Sequence, residues 1–143
     1  MSRKGAEHTE EARRFEEVEP ALNRLTEQVI GAAIEVHGHL GPGYLEAVYE
    51  EALSYELRSR EIPFRRQHRF ACTYKRHVVG QGQVDLLVAD RLIVELKAVD
   101  KLGPIHRAQV ISYLRALDRR LGLLINFNAP LLKQGLHRII LSA

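Results

Sequence analysis

From Ala21 to about His39 the apolar positions Leu22, Leu25, Val29, Ala32, Ala33 and Val36 recur at helical spacing and predict an amphipathic helix. Gly41-Pro42-Gly43 breaks it. A second stripe, Leu45, Val48, Tyr49, Ala52, Leu53 and Leu57, predicts a helix that stops near Arg60, ahead of Pro63. Between Phe64 and Tyr74 the residues Phe64, Phe70, Cys72 and Tyr74 alternate in part with arginines, as in a strand. Val84 to Val88 and Leu92 to Lys97 read as two short apolar strands around Ala89-Asp90-Arg91. Pro104 opens a helix carrying Ile105, Ala108, Ile111, Leu114 and Leu117. Leu121 to Phe127 is a continuous apolar run, the pattern of a strand buried on both faces, and His137 to Leu141 closes the chain as a short strand. The order is helix, helix, three strands, helix, strand, strand. It predicts an α/β fold, a mixed sheet with helices on its faces.

Composition narrows the class. The 143 residues, 45% of them hydrophobic, suit one domain with one core, here expected over residues 21–143. Residues 1–20 are polar, rich in Glu and Arg, and closed by Pro20, which predicts a tail or a loosely held first helix. No apolar run reaches the roughly 18 residues of a membrane span, and the charged start has no signal-peptide core, so a soluble, cytoplasmic protein is expected. The single Cys72 reads as a small apolar strand residue.

Charge is uneven. The net is +3, but residues 1–20 carry −2 and the remainder +5. Arg58, Arg60, Arg65, Arg66, Arg69, Lys75 and Arg76 accompany one acid, Glu61, a local net of +6. Such a stripe attracts phosphate backbones by counterion release, although a solvated arginine-rich face has the same composition.

The candidate chemistry lies in Asp85 and Glu95-Leu96-Lys97. Alternation puts Glu95 and Lys97 on one face of their strand. If Ala89, Asp90 and Arg91 form a three-residue connection, Val88 faces Leu92 and Asp85 faces Glu95, with β-carbons about 5 Å apart. A two-residue turn would pair Asp85 with Val94 and send the acids to opposite faces. Two facing carboxylates in an apolar sheet repel, and a cation between them removes that cost. Oxygen ligands suit Mg²⁺ or Mn²⁺ better than zinc, and the Leu96 carbonyl offers another donor. Such a metal polarises a phosphoryl oxygen and acidifies a bound water, while Lys97 would orient that water or stabilise developing charge. An isolated Glu-x-Lys is usually an ordinary charge pair. The facing Asp85 is what makes this one a candidate site.

Gln109 and Tyr113, four apart on the last helix, share a face and would hydrogen-bond the metal shell or the substrate; a tyrosine packed on the sheet beside a solvated glutamine fits the same spacing. His37 and His39 have no evident partner ligands and read as helix-terminal histidines stabilised by the dipole. His106 and Arg107 stand near the start of the helix bearing Gln109, where a phosphate contact fits, but they read first as an exposed first turn. Gly41 and Gly43 form no phosphate loop, since no Gly-Lys-Ser/Thr follows.

Gly43-Tyr44-Leu45-Glu46-Ala47-Val48-Tyr49 resembles the signature of the GxxExxY proteins, a group within the PD-(D/E)xK nuclease-like superfamily. The resemblance runs from about Leu25 to Leu141 and takes in GAAIEVHGHLGPG, the Asp85 and Glu95-Leu96-Lys97 core, and GLLINFN. It implies a restriction-endonuclease-like core in which Asp85, Glu95 and Lys97 match the catalytic triplet. It further implies that Glu46 is the extra metal ligand contributed from the helix before the sheet, and that Gln109 and Tyr113 match the Q-xxx-Y motif of the recombination-exonuclease branch. Gln83-Val84-Asp85 lacks the proline that names the superfamily motif.

The expectation is therefore a Mg²⁺- or Mn²⁺-dependent nuclease acting on nucleic acid, with DNA favoured. Glu46, Asp85, Glu95 and the Leu96 carbonyl would hold metal, with Lys97, Gln109 and Tyr113 assisting. Arg58, Arg65, Arg66, Arg69, Lys75 and Arg76 would hold the backbone, and a homodimer is one way for so small a nuclease to cut both strands. The competing expectation is a nucleic-acid-binding or protein-interaction module that keeps the fold without turnover.

Overall fold

The computed structural model describes residues 18–142. In chain order they form α1 (Pro20–Leu40), α2 (Glu46–Ser59), β1 (Phe64–Tyr74), β2 (His77–Val88), β3 (Leu92–Lys97), α3 (Pro104–Leu117), β4 (Leu121–Asn126), a 3-10 turn (Leu132–Gly135) and β5 (Leu136–Ile140). One five-stranded sheet runs β1-β2-β3-β4-β5; β3 and β4 are parallel across the α3 crossover and the other neighbours antiparallel. This is the mixed α/β architecture that the pattern of elements predicts, consistent with the restriction-endonuclease-like core that the resemblance implies. Most of the expected 1–20 tail, residues 1–17, lies outside the described residues. Its described end is packed: Val18 belongs to the core and Glu19 pairs with Arg91.

The two faces of the sheet are buried under different helices. Leu86, Val88, Leu92, Val94, Leu96, Leu121, Leu123 and Ile125 pack with Val29, Ala33, Tyr49 and Leu53 beneath α1 and α2. Val84, Leu87, Ile93, Leu124 and Ile139 pack against Val110 and Leu114 of α3. Both faces are covered, which is why β3 and β4 are buried almost throughout and read as unbroken apolar runs.

Three expectations are corrected. Leu45 and Val48, assigned to a buried stripe, are exposed, and Glu50 and Ser54 are buried in that helix instead. On α3 the outward residues are Ile105 and Ala108, while Val110 and Leu114 are buried and Tyr113 and Leu117 partly so; the helix is turned toward the sheet by the face that carries Tyr113. The second strand is not a short apolar segment from Val84 but begins at His77. Its first half is exposed on both sides and lacks the alternation that marks a half-buried strand.

Candidate functional site

The connection after β2 fixes the register. Ala89 and Asp90 take positive φ, 52° and 57°, in a three-residue loop, and Val88, Leu87 and Leu86 pair with Leu92, Ile93 and Val94. The next position sets Asp85 opposite Glu95. There the ladder gives way to side chains: Asp85 N–H donates to Glu95 Oε1 at 2.8 Å, and Leu96 N–H donates to Asp85 Oδ2 at 2.8 Å. Each carboxylate thus accepts a backbone donor of the opposing strand, and the strand ends stay together without a continued ladder.

A change of face accompanies this. In a regular strand Val84 would share a side with Leu86 and Val88, yet it packs beneath α3 with Leu87. On β1, Phe64 packs on the α1–α2 side and Phe70 on the α3 side, although an even spacing separates them. Between them Gln67 holds φ at 49°, in the left-handed region that a residue with a side chain rarely adopts. Gln67 Nε2 donates to Asp85 Oδ1 at 3.3 Å and also to Glu50. The sheet rotates at the position where it presents Asp85.

Burial and like charge govern the titration. Glu95 is 3% exposed, and burial first, then the neighbouring Asp85 charge, push its pKa to about 8 against the help of the Asp85 N–H and Lys97. Asp85 is raised mainly by burial, opposed by its bonds from Leu96 and Gln67. Glu46 is raised by partial burial and by Asp85, and Lys97 opposes this. Tyr113 is raised by burial and by the charges of Glu95 and Asp85, and it hydrogen-bonds Gln109. These interactions bring Glu46, Asp85, Glu95, Lys97, Gln109 and Tyr113 into one neighbourhood.

Glu46 is placed by the turn before α2. Gly43, at φ 111°, lets the chain reverse after Gly41. The Tyr49 hydroxyl donates to Gly41 O at 2.6 Å and accepts the Tyr44 N–H at 3.2 Å. Its ring, fully buried, stacks on Phe127 at 4.7 Å and 11°. The glycine bends the chain, the tyrosine ties the bend to the core, and α2 therefore starts at Glu46.

Several participants carry no signal that the residue pattern reveals. Glu50, one turn beyond Glu46 and 9% exposed, accepts from Arg66 Nη2 at 2.8 Å and from Gln67. Arg66 also pairs with Glu51 at 2.7 Å, so it is bound within the molecule and does not belong to a free cationic stripe. Asn126, 4% exposed, accepts from Val99 N–H at 3.1 Å and donates to Val99 O at 2.9 Å, fastening the segment after Lys97 to the end of β4. The histidines have structural partners: His37 meets Ala129 O at 2.8 Å, His39 pairs with Glu35, and His106 Nδ1 accepts the Gly103 N–H.

The donor set, carboxylates with a nearby backbone carbonyl, fits a hard divalent cation, whose charge would offset the repulsion between buried Glu95 and Asp85. Among the described residues, no group of three or more His, Cys, Asp or Glu side chains is disposed to hold a metal as it stands. Asp85 Oδ2 and Glu95 Oε1 are turned onto backbone donors instead.

A model of the PD-(D/E)XK nuclease superfamily matches residues 23–139. The chain belongs to that superfamily, whose members are generally nucleases acting on nucleic acid and typically use divalent metals such as Mg²⁺. No curated protein and no solved structure matched the chain. No helix among the described residues is long and apolar enough to cross a membrane.

Proposed function

We propose that this chain is a nuclease of the GxxExxY group that hydrolyses phosphodiester bonds in DNA with Mg²⁺ or Mn²⁺. The observation that carries the reading is the facing pair, half-buried Asp85 on β2 and buried Glu95 on β3, whose like charges repel, with Lys97 two residues beyond Glu95 on β3. Asp85 and Glu95, with Glu46 and the Leu96 carbonyl, would hold the cation, which when bound supplies Lewis acidity toward the phosphoryl group and the attacking water. Lys97 would steer the water and neutralise charge developing on the phosphate oxygens. Tyr113, oriented by Gln109 and packed edge-on against Phe70 at 5.2 Å, would hydrogen-bond the substrate backbone at the rim. Arg58, Arg65, Arg69, Lys75 and Arg76 would hold the flanking nucleic acid, and a second copy of the chain would serve to cut the opposite strand.

The three carboxylates do not converge as they stand, and this favours a second reading, a nucleic-acid-binding module without turnover. Calorimetry with Mn²⁺ separates the two. The enzyme binds metal and loses that binding in Glu95→Ala; absence of binding at millimolar metal favours the module.

A further inference from the structure

The β1–β2 hairpin outruns the sheet. β1 and β2 pair from Phe64↔Val88 to Tyr74↔His77, broken at Gln67 opposite Asp85 and shifted in register between Cys72 and Thr73, but β2 pairs with β3 only at Leu86, Leu87 and Val88. Beyond Val84 the hairpin continues as a two-stranded ribbon, closed by Lys75 and Arg76 at φ 48° and 70°. At about 3.4 Å per residue its tip stands about 27 Å along the strand from Asp85.

Its composition is one-sided. No acid occurs from Ile62 to Val84, a stretch that includes Arg65, Arg69, Lys75 and Arg76, all exposed. Tyr74, Val78 and Val79 at the tip are 63%, 67% and 65% exposed. The base is braced: a Cβ on Gly82 would lie 2.2 Å from the Phe70 ring, so only glycine lets that ring lie across the ribbon, where it also meets Tyr113 edge-on and packs on the α3-side core. The ribbon is therefore fixed to the helix that carries Gln109 and Tyr113.

We infer that this ribbon grips double-stranded DNA by entering a groove, with Lys75 and Arg76 on the phosphates beside it. The inference rests on the nuclease reading only in taking nucleic acid as the ligand. A B-form major groove, about 12 Å wide, admits a two-stranded β-ribbon, whereas the major groove of an A-form RNA helix is too deep and narrow for side chains to read. Single-strand binders instead use several aromatic platforms, and Tyr74 is the sole exposed aromatic of the described ribbon. With the tip about 27 Å from Asp85, duplex must continue roughly eight base pairs beyond the cut, at 3.4 Å each, for both contacts to form.

The test is fluorescence anisotropy in EDTA, where cleavage is silent, with a DNA duplex of about two helical turns, its single strand, and the matching RNA duplex. The double variant Lys75→Asn, Arg76→Gly removes both charges and installs the residue pair that two-residue hairpin turns favour most, so the ribbon stays folded. The wild type is expected to prefer duplex DNA to both other ligands. The variant is expected to lose about tenfold in duplex affinity at ~0.1 M salt, with a salt slope shallower by about 1.8, and to lose clearly less on the single strand. Failure of the wild type to prefer the duplex, unchanged duplex binding by the variant, or an equal loss on the single strand overturns the inference. So does altered self-association of the variant at unchanged DNA affinity, which would make the ribbon a contact between copies. Manganese binding at the carboxylates is read separately, so loss of the nuclease reading and loss of the ribbon's role give different results.

Discussion

Asp85 and Glu95 are joined through backbone: the Asp85 N–H donates to the Glu95 carboxylate at 2.8 Å, and the Asp85 carboxylate accepts the N–H of Leu96 at 2.8 Å. The pair is structural and electrostatically costly at once. A substitution that keeps the acceptor and removes the charge separates the two effects, and an alanine does not.

Glu95→Gln keeps a side-chain oxygen for the Asp85 N–H and removes a buried charge. In metal-free buffer at pH 8 the variant should melt several degrees above the wild type, and it should bind Mn²⁺ at least tenfold more weakly. Thermal melts with and without Mn²⁺ measure both. Equal melting temperatures in EDTA would mean that the Glu95 charge costs nothing.

The same group sets a pH dependence. Its folded pKa of about 8 lies above the ordinary 4.5, so the folded state holds the proton more tightly. The stabilisation is fully present below pH 4.5 and is lost as pH rises through 8. Asp85 and Glu46 shift in the same direction. Chemical denaturation of the metal-free protein between pH 5 and pH 9 should show stability falling with pH, with the slope reduced in Glu95→Gln. Saturating Mn²⁺ should remove much of the decline.

Tyr49→Phe keeps the stack on Phe127 and loses both hydroxyl contacts to the Gly41–Tyr44 turn. The expected cost is about 1–2 kcal/mol in denaturant unfolding, with Mn²⁺ affinity reduced because Glu46 loses its fixed starting point. A stability loss with unchanged affinity would confine Tyr49 to the core.

Gln67→Val places a β-branched residue at φ 49° and should cost about 1–3 kcal/mol. Gln67→Gly relieves the backbone and loses the bonds to Glu50 and Asp85, so it should fold but bind metal more weakly. Urea unfolding and calorimetry of the two variants distinguish strain from positioning.

Local rules reached as far as local causes. The length of the Ala89–Arg91 connection alone determines whether Asp85 and Glu95 face each other, and both acids are visible in sequence, so that half of the site was legible. Glu50 was not, because a glutamate on a helix reads as solvated until Arg66 and Gln67 arrive from a strand sixteen or seventeen residues away. Gln67 carried no sign of its left-handed backbone, since nothing around it resembles a turn. The ribbon half of β2 escaped for the opposite reason: Gly80, Gln81 and Gln83 are exposed, and without a buried face there is no period to read. Asn126 was hidden inside an apolar run, where its partners are backbone groups, the N–H of Asn128 and the N–H and carbonyl of Val99 in a distant loop.

The central claim is metal-dependent phosphodiester cleavage at Asp85 and Glu95. Its most direct test is a cleavage assay on labelled single- and double-stranded DNA and RNA with Mg²⁺ and with Mn²⁺, comparing wild type with Asp85→Asn, whose amide oxygen still accepts the Leu96 N–H. The account predicts metal-dependent cleavage of DNA by the wild type, its abolition by EDTA, and a loss of at least a hundredfold in Asp85→Asn at an unchanged fold. Cleavage that persists in Asp85→Asn, or no cleavage of any substrate by a wild type shown to bind Mn²⁺, would contradict it.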